Sequence, residues 1–499
     1  MGILSNKNGR EISNGTKSFY FGAPEAEGEN INGHKLTDYF EDYLDILEDL
    51  EKGKFIFVGR KGVGKSAIAK FIKDKSEEST NSFATILRIN DVSLEGIIQE
   101  TENKELVIFE WLILVNIVKL IVNNECGQYT QEYDKLRKFL ERNLGSVAID
   151  RFQIEERLLK HGGEVNFSIL THAFGGVFKK YFDVKTTKAP FYKLIPPLKE
   201  IVKIILDFPV NKNNEFWLLF DDLDVNYDLN NESHNLKIIE LLRLAKYYNN
   251  EIFKENSAKI LIFIREDIRS HIQSKYNDSA KIIHSYEIFI NWYSQFSSNI
   301  DENKIPLKQL ANRRIEINFK NHNISFTGDP WNNLFTSEVN NKSSFKNVLD
   351  FTFYRPRDIV TFLSAVSTEN YSYPISSSNL NKILNVFIRK NLAEVKSELS
   401  LYFNESEKDK IFKNLLPYVR DNNGIKLKNV IEEIERLNFL PGKNVVEILF
   451  NYSLLIYKNR YGELFFNYRE FHIDNIDLDD LSVTLPKCIY HYYKPLSTY

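Results

Sequence analysis

Cysteine is nearly absent. Cys126 and Cys488 are the only two in 499 residues, far apart and outside any CxxC spacing, which leaves no disulfide framework and no thiolate zinc site. The nine histidines show no HxxxH or HExxH spacing, and no GxSxG elbow occurs, so neither a zinc enzyme nor a serine hydrolase is expected. Neither sign of charge dominates: 65 Lys+Arg against 68 Asp+Glu leave a formal net charge of −3. Any nucleic-acid or anionic-membrane surface must therefore be local. No apolar run reaches about 18 residues. The N-terminal stretch MGILSNKNGREISNGTKSFYFG lacks the apolar core of a signal peptide. The expected setting is the reducing cytoplasm, with no membrane partner. There is also no internal repeat of about 20–50 residues, which excludes solenoids and propellers.

What is present is ordinary globular material, 43% hydrophobic, 27% charged and 13% aromatic, enough for two to four domains at about 100–200 residues each. Short apolar runs alternate with helical periodicity. FIFV at 55–58, FATILRI at 83–89, FWLLF at 216–220, KILIFI at 259–264 and SYEIFI at 285–290 read as strands. The unbroken apolar character of the central runs is that of parallel strands buried on both faces. FEWLILVNIVKLIV at 109–122 reads as a buried helix interrupted by Glu110, Asn116 and Lys119, too polar and too short to span a bilayer. After Pro196-Pro197, Leu198, Ile201, Val202 and Ile205 fall on one helical face. Asn-rich stretches at 318–330 and 338–345 read as loops around a short helix with Trp331 and Leu334, and SYPISSSN at 372–379 suggests a boundary. Helices then follow at about 379–402, 407–418, 427–437 and 443–453, and two short strands flank a polar turn at 459–462, the order of a winged-helix domain.

The expected fold class is α/β: a parallel sheet with a helical insertion, a helical lid and a C-terminal winged helix. The expected divisions are an N-terminal segment at 1–50, a core at 51–317 with its insertion at about 125–210, a lid at 318–370 and a winged-helix-like domain at 371–499.

The chemistry concentrates in Gly59, Arg60, Lys61, Gly62, Val63, Gly64, Lys65 and Ser66, with Ala67 following. This GxxxxGK[ST] pattern lies directly between a strand and a helix, the context its mechanism requires. Backbone amides of the glycine-rich turn and the positive helix start cradle phosphates. Lys65 supplies a point charge, and the Ser66 hydroxyl completes a Mg²⁺ shell. FWLLFDDLD then provides strand-end carboxylates: Asp221 on the metal side, Asp222 as general base for the attacking water, and Asp224 with a less defined role. A solvated strand end is the competing reading. Arg265, closing KILIFI, stands at the carboxyl edge where open α/β sheets bind ligands and can report a γ-phosphate; a salt bridge to Glu266 or Asp267 is its structural alternative.

Two weaker features involve arginine. Pro356, between Arg355 and Arg357, opens a helix whose start could face nucleotide. Arg313 and Arg314 could act as an arginine finger, although a basic solvated turn is the preferred reading. Residues 178–193 interleave Lys179, Lys180, Lys185, Lys188 and Lys193 with aromatics, a mix able to hold phosphates and stack bases. A solvated linker is the preferred reading there.

With FGAPEAEGE at 21–29, FIFVGRKGVGKSA at 55–67, FWLLFDDLD, FIREDI at 263–268 and YRPRDIVTFL at 354–363, the chain resembles a bacterial P-loop ATPase of the AAA+/STAND superclass. The likeness is to the group with origin-recognition-complex-like ATPase modules, over roughly residues 18–365. The resemblance implies Asp221 and Asp222 as its carboxylate pair, Arg265 as its strand-end arginine and Pro356 as a nucleotide contact at the lid. It implies ATP and Mg²⁺ as cofactors, and a switch that oligomerises or changes shape, with roles in signalling and anti-phage defence. Lys65 and Asp221 stand 156 residues apart, more than in a minimal AAA+ core, and the arginine directly after 259–264 favours the STAND side. The expected partners are another copy of the chain or a separate effector protein, because no nuclease, TIR or protease motif is visible. A DNA-binding initiator or loader is the alternative. It is disfavoured because residues 371–499 hold 17 Lys+Arg against 16 Asp+Glu, with Asp474, Asp477, Asp479 and Asp480 after the hairpin.

Overall fold

A computed structural model describes residues 15–29, 35–88, 104–123, 130–144, 163–225, 227–228, 231–253, 258–293, 301–339, 341–439, 441–469 and 481–494. Cys126 and the acidic positions 474–480 lie outside the described residues. Two compact units emerge. One contains 45–61 and 65–290; the other contains 1–44, 62–64 and 291–499.

The first unit is built on a five-stranded sheet of β1 (Ile56–Gly59), β2 (Ser82–Arg88), β3 (Glu215–Asp221), β4 (Ala258–Arg265) and β5 (Glu287–Phe289). All pairs are parallel, in the order β2-β3-β4-β1-β5. The sheet is therefore α/β as the apolar runs imply. β1 and β4 are buried along their apolar length, with Phe57 stacked on Phe263 at 4.5 Å. β2, at one edge, buries only Thr85 fully.

Helix Lys65–Glu78 packs on β2, and helix Lys104–Asn123 packs against β3 and the helices Ile195–Leu206 and Glu232–Tyr247. The polar residues in Lys104–Asn123 are structural. Glu110 pairs with Lys199 at 2.5 Å and accepts from the Tyr248 hydroxyl at 3.0 Å, while the Asn116 amide donates to the Leu112 carbonyl at 2.8 Å. Among the described residues, no helix is long and apolar enough to cross a membrane. Leu198, Ile201, Val202 and Ile205 are all buried, as their spacing predicts. An antiparallel ribbon, Glu164–Asn166 with Lys188–Pro190, stands where only irregular helical structure was expected; three residues per strand carry too little periodicity to read.

The second unit is mainly helical. Helix Pro306–Asn321 runs through residues expected to turn or loop. Asn318, which reads as a loop residue, is buried on its face, accepts from the Tyr20 amide at 2.7 Å and donates to the Tyr20 carbonyl at 2.6 Å. The stretch expected as a loop at 338–345 instead forms the ribbon Glu338–Val339 with Lys342–Ser343, and Ser343 then caps helix Ser344–Leu349. Trp331, Phe335, Phe345, Phe362 and Phe387 form one aromatic core, with the Trp331 indole donating to the Ser344 hydroxyl at 2.9 Å.

Helices Pro356–Val366 and Ser377–Glu398 lead to helices Leu427–Arg436 and Gly442–Asn451. These accompany a small antiparallel sheet of β6 (Ile425–Lys426), β7 (Ile456–Lys458), β8 (Leu464–Phe465) and β9 (Ser482–Thr484), ordered β6-β9-β7-β8. The hairpin between β7 and β8 closes with Asn459 bonded to Glu463 and Gly462 at φ 86°.

Candidate functional site

The carboxyl ends of β1, β3 and β4 bring the strongest sequence candidates of the sheet unit together. β1 ends at Gly59, and the chain turns through Gly62 at φ 83° and Gly64 at φ 103° before entering the helix at Lys65. Those two angles lie where a Cβ is strained, so the turn needs glycine at both positions. The half-buried Lys65 folds over the turn, its ammonium donating to the carbonyls of Gly59 at 2.9 Å and Arg60 at 3.1 Å. Burial lowers the Lys65 pKa to about 8, against the opposing pull of Asp224, Asp221 and Asp267. The first amides of the helix, from Lys65 through Ser66 and Ala67, have no intrahelical acceptors and present partial positive charge.

Asp221, the last residue of β3, is 4% exposed, and the Ser66 hydroxyl beside it favours its charged form. Burial and the adjacent Asp222 charge raise its pKa. Asp222 leaves the strand at φ 54°, a left-handed conformation that a non-glycine residue adopts at some cost. Its carboxylate is held by the Arg88 guanidinium at 2.6 Å. Arg88 is the last residue of β2 and lies in register with Asp221.

Arg265 is 7% exposed at the end of β4 and is held on two sides. It makes a two-pronged contact to Asp267 at 3.1 and 2.5 Å and a third bond to Asp224 at 3.0 Å. Next to it, burial raises the pKa of Glu266, opposed by the nearby charges of Arg60, Arg269 and Lys65. Arg88 was not singled out from the sequence, although a basic residue interrupting the end of the apolar run FATILRI was the available signal. The pairing of Asp224 with Arg265 depends on β3 and β4 being neighbours, which no local spacing announces.

In the helical unit, Pro356 occupies the first turn of helix Pro356–Val366. The Arg357 amide of that turn donates to the Gly62 carbonyl at 3.3 Å, and the Trp292 indole donates to the Val63 carbonyl at 2.9 Å. Arg355 is tied to Asp358 at 2.8 Å and to Asn391 at 3.1 Å, and the Arg357 guanidinium binds Glu394. Arg313 and Arg314 lie inside helix Pro306–Asn321 rather than on a solvated turn. Arg314 is buried, donates to the Phe21 carbonyl at 2.6 Å and stacks on Tyr39 at 4.8 Å, while Arg313 approaches Glu41 at 3.5 Å.

Residues 306–387 match the family described as FunZ-associated C-terminal helical domain, and this stretch includes the helices Pro306–Asn321 and Pro356–Val366. A similar protein is the "Putative transposon gamma-delta 80.3 kDa protein" of Escherichia coli (strain K12). It is 25% identical over 167 residues, which are 34% of this chain and 22% of that protein. The chain thus spans about a fifth of the length of the curated relative it matches. No solved structure matches.

Proposed function

We propose that the chain is a Mg-ATP-binding and hydrolysing molecular switch, with Gly59–Ser66 as its P-loop. The observation that carries this reading is the placement of the buried Asp221 carboxylate at the end of β3, where the Ser66 hydroxyl at the start of the helix acts on it, because a Mg²⁺ bound to a triphosphate is held by that pair of residue types. Lys65 would leave the Gly59 and Arg60 carbonyls to meet the phosphates, and Asp222 would accept the proton of the attacking water once its pairing with Arg88 loosens. The strand order supports the reading, since the loop strand β1 and the carboxylate strand β3 flank β4, so their carboxyl ends converge on the Arg265 position. The biological role in this reading is regulatory, in bacterial signalling or anti-phage defence, with a second copy or a separate effector as partner. The domain at 371–499 acts in it as a winged helix facing protein. Pro356 belongs to the nucleotide contacts.

The similarity to a protein named for a transposon favours one second reading, an initiator- or loader-like ATPase acting on DNA. The test of the main reading is titration of the purified chain with a fluorescent ATP analogue, with and without Mg²⁺. Binding should need Lys65 and strengthen with Mg²⁺. Unchanged affinity and turnover in Lys65→Ala would refute it.

A further inference from the structure

Between 163 and 203 the sequence holds seven lysines and three carboxylates, a concentration of positive charge within a chain of net charge −3. Local structure fixes where that charge points. Helix Ser168–Phe178 ends in Lys179 and Lys180, and the following turn is closed by bonds from the Phe182 amide to the Phe178 carbonyl and from the Thr186 amide to the Asp183 carbonyl, both 2.9 Å. The Phe167 amide then donates to Thr187 at 2.9 Å, where the chain enters the ribbon strand Lys188–Pro190. Beneath the turn, Phe167 lies on Phe178 at 4.9 Å and on Phe182 at 4.7 Å. A stacked aromatic base and backbone bonds on both sides make this turn a fixed platform.

Lys179 and Lys185 are exposed on it, Lys188 is exposed at the start of the ribbon strand and Lys193 just beyond that strand, and none of the four makes an ion pair among the described residues. Lys180 does: it and the Tyr181 hydroxyl both bind Glu200. The remaining carboxylates of the segment, Glu164 and Asp183, are exposed. Four ammonium groups with no ion-pair partner among the described residues, carried by the turn and the strand and short helix that follow it, hold a self-repulsion that an anionic polymer would relieve.

We propose that this surface binds the sugar–phosphate backbone of duplex nucleic acid without reading sequence. Of the rings that could stack on unpaired bases, Phe167, Phe178 and Phe182 are occupied with one another, Tyr181 is tethered through its hydroxyl to Glu200, Phe191 is buried, and the half-buried Tyr192 is set edge-to-face with Phe191 at 6.1 Å. Lysine point charges without free aromatic faces suit phosphates rather than splayed bases. An anionic membrane fits less well. Val184, 83% exposed at the tip, is the principal apolar anchor, and one inserted valine falls short of the broad apolar face that interfacial anchoring uses.

The experiment measures anisotropy of a labelled DNA duplex of about 40 base pairs titrated with the full chain, without nucleotide, from about 50 to 200 mM KCl. It is independent of the nucleotide site, so Lys65→Ala should bind the duplex as the parent does. Affinity should fall with salt. The combined variant Lys179→Gln, Lys185→Gln, Lys188→Gln and Lys193→Gln should lose about 3–4 units of the log–log slope. If the combined variant loses its cooperative melting transition, Lys185→Gln and Lys188→Gln taken singly should each lower the slope by about 0.9. Absence of duplex binding, or a slope unchanged in these variants, overturns the proposal. So does preferential binding to phosphatidylserine vesicles that the variants abolish while duplex binding persists.

Discussion

Arg265 in the sheet unit and Arg355 in the helical unit are both buried arginines held by carboxylates, yet their surroundings differ. Arg355 is enclosed. Its partners Asp358 and Glu398 have side chains 0% and 3% exposed, and Asn391 completes the set. Arg265 faces Asp224 and Asp267, whose side chains are 27% and 20% exposed, and its charge is felt at Lys65. An ion network sealed on every side serves as a structural pin, since removing one member leaves buried charge without compensation. One that opens at the carboxyl edge of a sheet can exchange partners when an anion arrives.

The sharpest way to break this comparison is at Asp222. Asp222→Asn should keep the fold and retain ATP, because it leaves Asp221 and the Gly59–Ser66 turn untouched. It should slow hydrolysis by about 10²–10⁴-fold, the usual contribution of a general base. Single-turnover rates near those of the parent would assign Asp222 to the Arg88 pair alone.

Next in size is the contrast between the two arginines. Arg355→Ala strands Asp358, which is fully buried, and should cost about 3–5 kcal/mol of stability. Arg265→Ala leaves carboxylates that water can reach, so a loss nearer 1–2 kcal/mol is expected. Urea denaturation of the two variants measures both. Equal losses would erase the distinction between a sealed and an open network.

Much of the sheet unit was legible because its information is local. Unbroken apolar runs mark β1, β3 and β4, and the glycine spacing of 59–66 fixes a turn between a strand and a helix. What escaped depends on contacts distant in sequence. Arg88 meets Asp222 only because β2 lies beside β3, and Asp224 meets Arg265 only because β3 lies beside β4. Asparagine misled for a related reason. Asn318 carries turn propensity, but here its side chain satisfies both backbone groups of Tyr20 from within a helix, a tertiary partner outweighing a local preference.

The smallest effect concerns protons, and it separates the open edge from the sealed network by titration. Burial lowers Lys65 to about 8, so the nucleotide-free chain gives up that proton as pH rises through about 8. Phosphates placed against the ammonium favour its charged form and raise its pKa. Nucleotide binding above pH 8 must then take up a proton, and affinity should fall by at most tenfold per pH unit until the bound-state value is passed. Below about pH 7 the lysine is charged in both states and the dependence vanishes. Folding of the nucleotide-free chain carries the opposite slope: the cost of burying the charge is fully present below about pH 8 and is relieved as pH rises towards the ordinary lysine value near 10.5. Calorimetric titration with ADP at about pH 9, in two buffers of different ionisation enthalpy, reads the proton uptake directly. Heats that are equal in both buffers would mean that Lys65 does not change its protonation on binding, and its contact with the phosphates would fall with that result. In Lys65→Arg the guanidinium stays charged throughout this range, so any nucleotide binding that survives should proceed without uptake.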